Sequence, residues 1–533
     1  MPNRIRHVTS IVRATGLTSL YLAAIGLSGL AAAGLMLWVN AGPRAVQAQA
    51  DGAAIYRERC AFCHGENGDG NGPVARYLSP RPRDFTSNQF KFRSTASGEL
   101  PLRKDVINVV KKGVPGTAMP RWEEVLSQAE IEAVVDYLTQ TFVPDWGTYE
   151  PTILITGQER PPRVTDDLIA QGAQLYQDNQ CWKCHGQAGR GDGPSAPGMT
   201  DDFDFPIRPA DLTKAWRYKG GSELKDIYAR FSTGLNGTPM PSFFDVFPEE
   251  EREASLWALA AYVKSLQANQ PTEETAVTAR RITGALPTSP DDPAWERARP
   301  VSFYLTGQVI AGPRWQLPGV DNVIVRALHN DQSLALLVEW DDPFQDTEAI
   351  GEEGNISADT YVDLDQFLGA AGPFPDALTV QFPQKLSQGP QKPYFFWGQP
   401  GQPVNLWKWQ ADETMSEFNA AGFKEGLKPQ TASDVTTSAT WADGRYRVLF
   451  TRALNTGDPN DVPIAPGDFV PIAFQAWEGS SGEAGMRLSL SSWYSLVLEK
   501  PTPVSVYVYS GLTVALVAAA EWALVRRARR KRT

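Results

Sequence analysis

Cys60-Ala61-Phe62-Cys63-His64 recurs 121 residues later as Cys181-Trp182-Lys183-Cys184-His185, and these two pentapeptides hold all four cysteines of the chain. C-x-x-C-H is the attachment pattern of c-type haem: two thiols bond the porphyrin edge and the adjacent histidine becomes an iron ligand. A redox dithiol or a zinc knuckle leaves unexplained why a histidine follows the second cysteine both times. A structural zinc site also needs more ligands than the chain has left. Two such motifs therefore predict two covalently bound haem c groups, each requiring a fold wrapped around it.

Seven methionines occur in the chain, and two stand in matching settings. Met119, in Gly116-Thr117-Ala118-Met119-Pro120, lies 59 residues past Cys60, and Met240, in Gly237-Thr238-Pro239-Met240-Pro241, lies 59 past Cys181. The pattern thus repeats with a domain-sized period. Each copy has a short helix signal before its cysteines (52–59 and 172–180) and a glycine-rich loop after its histidine (GENGDGNGP and GQAGRGDGP). Each closes on an amphipathic helix, about 127–142 and 248–267, whose acidic first turn suits the helix dipole.

In this order the elements resemble class I cytochrome c domains over about residues 51–145 and 164–268. The resemblance implies an all-α fold around each haem, with His64/Met119 and His185/Met240 as axial pairs held by Cys60, Cys63, Cys181 and Cys184. A thioether sulfur favours ferrous iron and raises the potential. A six-coordinate iron offers no position to a substrate, so these centres are expected to move electrons, and no catalytic residue is assigned. Met199 is the one rival to Met240, but it comes too soon after His185 and lacks the repeat.

Residues 16–39 form an uncharged run long enough to cross a bilayer, preceded by Arg4, Arg6 and Arg13. Ala48-Gln49-Ala50 offers a signal-peptidase site, so segment 1–50 reads equally as an uncleaved anchor or a cleaved signal. A second apolar run, 504–525, is followed by a basic tail at 526–533. Both basic flanks predict cytoplasmic ends, placing the bulk of the chain on the periplasmic or extracellular side of a bacterial membrane. Glu521 is costly at mid-bilayer and is expected at the interface beside the arginines. Setting aside the basic residues of both termini and Glu521, 40 basic and 60 acidic residues remain, near −20. Nucleic acid is excluded as a partner, while a basic redox protein could be steered.

From about 281 to 500 cysteine disappears and short apolar runs alternate with turn signals: 323–328, 333–340, 446–452 and 470–477. This predicts a mainly-β sandwich, separated from the second haem domain by a polar linker at 268–278. Several stretches (LALLVEWDD at 334–342, DALTVQFP at 376–383, PVNLWKWQAD at 403–412, WADGRYRVLFTR at 441–452, FQAWEG at 474–479 and SWYSLVL at 492–498) resemble the haem-binding gamma subunit of ethylbenzene dehydrogenase and its relatives. That resemblance implies service to a molybdopterin catalytic subunit, with its iron-sulfur subunit, and one haem b held by a methionine and a lysine. Here Trp397 stands where the methionine is expected, and Gly485-Met486-Arg487-Leu488 stands where the lysine is expected. Met415, Met486, Lys408 and His329 are the substitutes available, with His329 expected to face solvent. A docking domain without haem b is the favoured reading.

The whole is expected to be a membrane-anchored di-haem cytochrome, the electron-transfer subunit of an oxidoreductase complex of molybdopterin type, with nitrite or nitrate chemistry in view. A cytochrome subunit of a respiratory or photosynthetic complex is the alternative. A haem-dependent dehydrogenase or peroxidase is the alternative of another class, and it would need an open iron site.

Overall fold

The computed structural model describes residues 50–530 apart from 79, 206, 313, 317, 349–373, 387–390, 432 and 502. The apolar run at 16–39, and with it the anchor-or-signal question, lies outside the described residues.

Residues 52–266 carry helices and short turns in a repeated order. The first copy has α1 (Gly52–Ile55) running into a π-turn (Tyr56–Cys60), then α2 (Ala61–His64), α3 (Arg103–Lys112) and α4 (Gln128–Phe142). The second has α5 (Asp166–Asp178), α6 (Trp182–His185), α7 (Leu224–Thr233) and α8 (Glu249–Leu266). Ser127 caps α4 by accepting from the Glu130 amide while the Glu130 carboxylate accepts from the Ser127 amide, a reciprocal box that sets the helix start. The first and last helices of each copy cross at a glycine. A Cβ on Gly52 would lie 2.1 Å from the Ala133 carbonyl oxygen, and one on Gly172 would lie 2.0 Å from that of Ala258. Only glycine lets two backbones approach so closely. Around these crossings lie two separate apolar cores, one with Tyr56, Ile131, Val135 and Leu138, the other with Tyr176, Leu256, Leu259 and Val263. Helices α3 and α7 are not marked by the motif repeat. Their signal is local: Asp105 and Asp226 accept from the amides of Leu102 and Glu223 at the helix starts.

The third part is a two-sheet β structure. Its strands are β1 (Ala276–Arg281), β2 (Val301–Tyr304), β3 (Thr306–Gly307), β4 (Asn322–His329), β5 (Ser333–Asp341), β6 (Ala377–Pro383) and β7 (Val404–Gln410). After them come β8 (Met415–Ala420), β9 (Lys428–Pro429), β10 (Thr436–Ala442), β11 (Arg445–Ala453), β12 (Phe469–Trp477), β13 (Ser489–Leu490) and β14 (Tyr494–Leu498). The path runs β10-β11-β5-β4-β1-β14-β12-β6-β7-β8-β9. Strand β12 turns the corner: Phe469–Ile472 pair with β14, whereas Ala473–Trp477 pair with β6. Strand β1 pairs in parallel with both β4 and β14, so the domain begins at Ala276, inside the stretch expected to be linker. Strand β5 is buried on both faces. Leu334, Leu336, Val338 and Trp340 enter the main core, while Ala335 and Leu337 pack with Trp295 and Leu449.

Helix α9 (Val504–Arg530) follows. Its segment Val504–Arg527, with a mean hydropathy of 1.6, is the one span long and apolar enough to cross a membrane among the described residues.

Candidate haem centres

Cys60 and Cys63 flank the first turn of α2 and Cys181 and Cys184 that of α6. An i, i+3 spacing on a helix puts both thiols on one side, with the histidine next in the turn. All four thiols are unpaired. Burial pushes the Cys60 thiol up to about 12 and the Cys181 thiol up to about 11. A redox dithiol needs the opposite, a depressed thiol that ionises readily.

Each histidine is oriented by a backbone carbonyl. His64 Nδ1 lies 2.9 Å from the Arg83 oxygen, and His185 Nδ1 lies 2.9 Å from the Ala210 oxygen. With Nδ1 donating, the lone pair is on Nε2, which is the arrangement an iron-ligating imidazole takes. Loss of solvent lowers the proton affinity of both rings and favours this neutral form. The His64 ring also stacks on Phe85, centroids 4.7 Å apart at 18°. A second restraint is shared: the Tyr56 hydroxyl donates to the Gly65 carbonyl at 2.8 Å and the Tyr176 hydroxyl to that of Gly186 at 2.7 Å. It locks the first helix of each copy to the residue after the histidine.

The methionine loops match bond for bond. Val114 N donates to Met119 O at 3.1 Å, the Thr117 hydroxyl to Val114 O at 2.8 Å, and Met119 N to Thr117 Oγ1 at 3.1 Å. In the second copy the same bonds join Leu235, Thr238 and Met240 at 3.1, 2.8 and 3.3 Å. Met119 packs on the apolar core that also carries Cys60, and Met240 on the one that carries Cys181. The structure thus brings methionine and motif to one core in each copy. The Met199 carbonyl accepts from Ile207 N, and Met199 is not among the residues packed on that core. The donor set, with two thiols, an Nδ1-anchored imidazole and a thioether over apolar walls, fits a covalently attached haem in each copy.

At the positions where the resemblance places the haem b donors, among the described residues, stand Trp397 and the stretch Gly485-Met486-Arg487-Leu488. Trp397 is buried, its indole N–H donating to Gln475 Oε1 at 3.2 Å. Of the substitutes, Met486 packs in the cluster of Phe396, Trp397 and Trp477, whereas Met415 packs against the main core. Lys408 lies over the Trp477 ring at 5.0 Å, beside a cleft of about 220 Å³, below the roughly 300 Å³ at which ligand pockets begin. His329, expected at the surface, is fully buried, and its Nε2 is 2.9 Å from the Glu499 carbonyl oxygen. The turn chemistry of Asn330–Gln332 was legible, but the packing of β1 and the Glu499 segment over the ring was not.

Sequence reasoning also missed a group of three buried carboxylates, Asp342, Asp376 and Glu478, whose oxygens lie within 4.8 Å of one another. They come from three distant segments, so no local pattern announces them. Asp376 accepts from the Gly479 and Asp346 amides and the Tyr446 hydroxyl. Glu478 is met by Arg208 of the second helical domain at 2.7 Å.

Family comparisons agree with this division. Residues 47–138 match the model for "Cytochrome C oxidase, cbb3-type, subunit III", residues 169–267 that for "Cytochrome c", and residues 292–430 and 423–489 that for "Ethylbenzene dehydrogenase". A Haloferax mediterranei protein assigned as a respiratory nitrate reductase haem subunit is 27% identical over 39% of this chain and 67% of its own. The chlorate reductase gamma subunit of Ideonella dechloratans is 29% identical over 25% of this chain and 52% of its own. The cbb3-type oxidase subunit CcoP of Rhodobacter capsulatus is 27% identical over 41% and 62%. The chain therefore spans about half to two thirds of the curated relatives it matches. A chain from the Kuenenia stuttgartiensis reducing HAO-like complex is 42% identical over 41% of this chain and 96% of that one, with a TM-score of 0.38.

Proposed function

We propose that this chain, which joins two cytochrome c domains to an ethylbenzene dehydrogenase-type domain, is the electron-transfer haem subunit of an extracytoplasmic oxidoreductase complex. The observation that carries the reading is the duplication itself: two cysteine-histidine turns, each with its imidazole anchored to a backbone carbonyl and a methionine loop on the same core.

Cys60 with Cys63, and Cys181 with Cys184, would hold the two haem c groups in domains of about 51–145 and 164–268. His64 with Met119 and His185 with Met240 would be the side chains offered to each iron. Such a group supplies one-electron exchange without an open coordination site. The protein's part is positional. The Arg83 and Ala210 carbonyls fix the tautomer and plane of each imidazole. The three-bond methionine loops hold each thioether against drift. The apolar cores exclude water, which sets the local dielectric and so the potential.

The β domain, about 281–500 together with β1, docks the catalytic partner. A nitrate reductase haem subunit and a chlorate reductase gamma subunit among the relatives support a molybdopterin enzyme with its iron-sulfur subunit, a nitrite/nitrate-class substrate and a non-catalytic role for this chain. Helix α9 anchors the protein, its arginine-rich end on the cytoplasmic side and the haem domains outside. The likeness of the haem domains to CcoP favours a second reading, a cytochrome subunit of a terminal oxidase, which leaves the β domain without a role.

Purification from the native membrane tests this through haem count and companions. Two haem c per chain, no haem b and a co-purifying molybdopterin subunit are expected. Fewer than two haem c would overturn the wire, and oxidase subunits alone would favour the second reading.

A further inference from the structure

The duplicated domains are stacked with one polarity. In each copy, the segment whose carbonyl orients the histidine also docks on the next part of the chain. In the second copy that segment is Arg208–Arg217. Arg208 pairs with Glu478, Lys214 with Asp321 and Asp341 at 3.1 and 3.7 Å, and Trp216 Nε1 donates to Asp321. All of these acceptors belong to the β domain. In the first copy the corresponding segment is Arg81–Gly98, and it covers the methionine loop of the second. Arg93 donates to the Thr233 carbonyl, Gly98 N donates to Asn236 Oδ1 at 3.1 Å, and Arg230 reaches back to the Lys91 carbonyl at 3.3 Å. The contact is close: a Cβ on Gly237 would lie 2.5 Å from Gln89 Oε1. Reading outward, the order is β domain, His185 side, Met240 side, His64 side, Met119 side.

The duplication makes the last face interpretable, because it is the counterpart of one already seen occupied. Thr233 and Gly237, buried under the first domain, correspond at the 121-residue period to Lys112 and Gly116, which are exposed. Pro115 and Arg121 are exposed beside them, while Ala118, Pro120 and Val125 are exposed as their counterparts Pro239, Pro241 and Val246 are, so the first domain covers the Thr233–Gly237 side of the second methionine loop. The charge differs as well. Ser232, Thr233 and Ser242 of the covered loop are replaced by Lys111, Lys112 and Arg121 on the open one. Lys104, seven residues before Lys111, falls on the same face of α3. Glu123 and Glu124 are the acidic residues of this face, Glu123 lying 3.9 Å from Lys111. Four basic groups against two acidic ones make a positive rim on a chain whose net charge is −11.

Resting on the electron-transfer reading above, we propose that the Met119 loop and the rim of Lys104, Lys111, Lys112 and Arg121 form the outer port of the wire. Its partner is a separate redox protein with an acidic rim around its own electron-exchange edge. The second haem domain is then an internal relay, contacted at both ends, and the β domain is the catalytic-side terminus. A positive rim on a negative molecule steers such a partner to one spot and turns it away from the rest of the surface.

The test uses the full-length holoprotein in detergent and two probes, a blue-copper protein with an acidic patch and a basic class I cytochrome c. Binding is measured by surface plasmon resonance and electron exchange by stopped flow, each over a salt series. The variants are Lys112→Glu, the triple Lys111→Glu/Lys112→Glu/Arg121→Glu, and the control Lys225→Glu at the position equivalent to Lys104 in the second domain. The triple variant is expected to lose about tenfold or more in affinity and association rate for the acidic probe at low salt. Lys112→Glu should lose part of this, and Lys225→Glu none. Unchanged binding in the triple variant with intact haem spectra overturns the port while leaving the electron-transfer reading in place. Preference for the basic probe also overturns the port. A wild-type protein that carries haem yet exchanges electrons with neither probe overturns both.

Discussion

The Arg208 guanidinium lies 2.7 Å from the Glu478 carboxylate, whose side chain is 1% exposed, and two residues further along the chain the Ala210 carbonyl accepts from His185 Nδ1. One short segment of the second haem domain therefore holds both the ion pair to the β domain and the bond that orients the imidazole. Docking and the orientation of the His185 ring are mechanically joined at this point.

Arg208→Ala leaves buried Glu478 with the Ser480 hydroxyl on Oε1 and takes the cation from Oε2, and losing the partner of one buried polar atom costs about 1–3 kcal/mol. We expect a lower thermal midpoint and faster limited proteolysis at 268–275, between the second haem domain and β1. The double variant Arg208→Ala/Glu478→Gln should recover part of the loss. Equal proteolysis rates in the wild type and Arg208→Ala would show that the pair contributes nothing to docking.

The carboxylate group predicts an unusual pH dependence. Burial, then the charge of Glu478, pushes Asp376 up to about 8, Asp346 up to about 6 and Glu483 up to about 7. Asp342 is also raised, by burial and then Asp376. The folded state thus holds protons that the unfolded chain releases from ordinary values near 3.8–4.5. This contribution is complete below those ordinary values and is lost as pH rises through about 6 to 8. Calorimetry should show the β-domain transition falling between about pH 5 and pH 9, with a shallower fall in Asp376→Asn. A midpoint that rises over that interval would contradict the protonated cluster.

The glycine crossings should be separable by domain. Gly52→Ala forces a methyl into the Ala133 carbonyl, and Gly172→Ala into that of Ala258. Overpacking of this kind costs about 1–3 kcal/mol, occasionally more. Each substitution is expected to reduce haem in its own copy alone, read as a fall toward one haem c per chain on pyridine-haemochrome assay.

Tyr56→Phe and Tyr176→Phe each remove a buried hydroxyl from a carbonyl at 2.8 and 2.7 Å. Each should cost about 1 kcal/mol, with haem content retained. The check is chemical denaturation of the oxidised protein, where the midpoint moves and the slope does not.

Met119→Ala and Met240→Ala should each abolish one share of the near-infrared sulfur-to-iron band and lower one potential. Met199→Ala should change neither. If Met199→Ala removed the band of the second haem, the assignment of Met240 would be wrong.

The sequence by itself named the candidate chemistry. Covalent attachment needs specific residues at fixed spacing within one turn, so the proposed set of Cys60, Cys63, His64 and their counterparts, with the repeated methionine setting, could be named from the sequence. Strands β4, β5, β11 and β12 were also visible, because their apolar residues are contiguous. The short helices α3 and α7 were missed, having no motif to mark them, and burial of His329 was missed because a turn signal says nothing about what packs above it. Only the tertiary structure decided the contacts made at long range. Asp342, Asp376 and Glu478 converge from three segments, Arg83 and Ala210 lend carbonyls that any residue could supply, and one side of the methionine loop is covered in one copy and open in the other. Such relations depend on where backbones and charges meet in space, and a local pattern of side chains does not encode that.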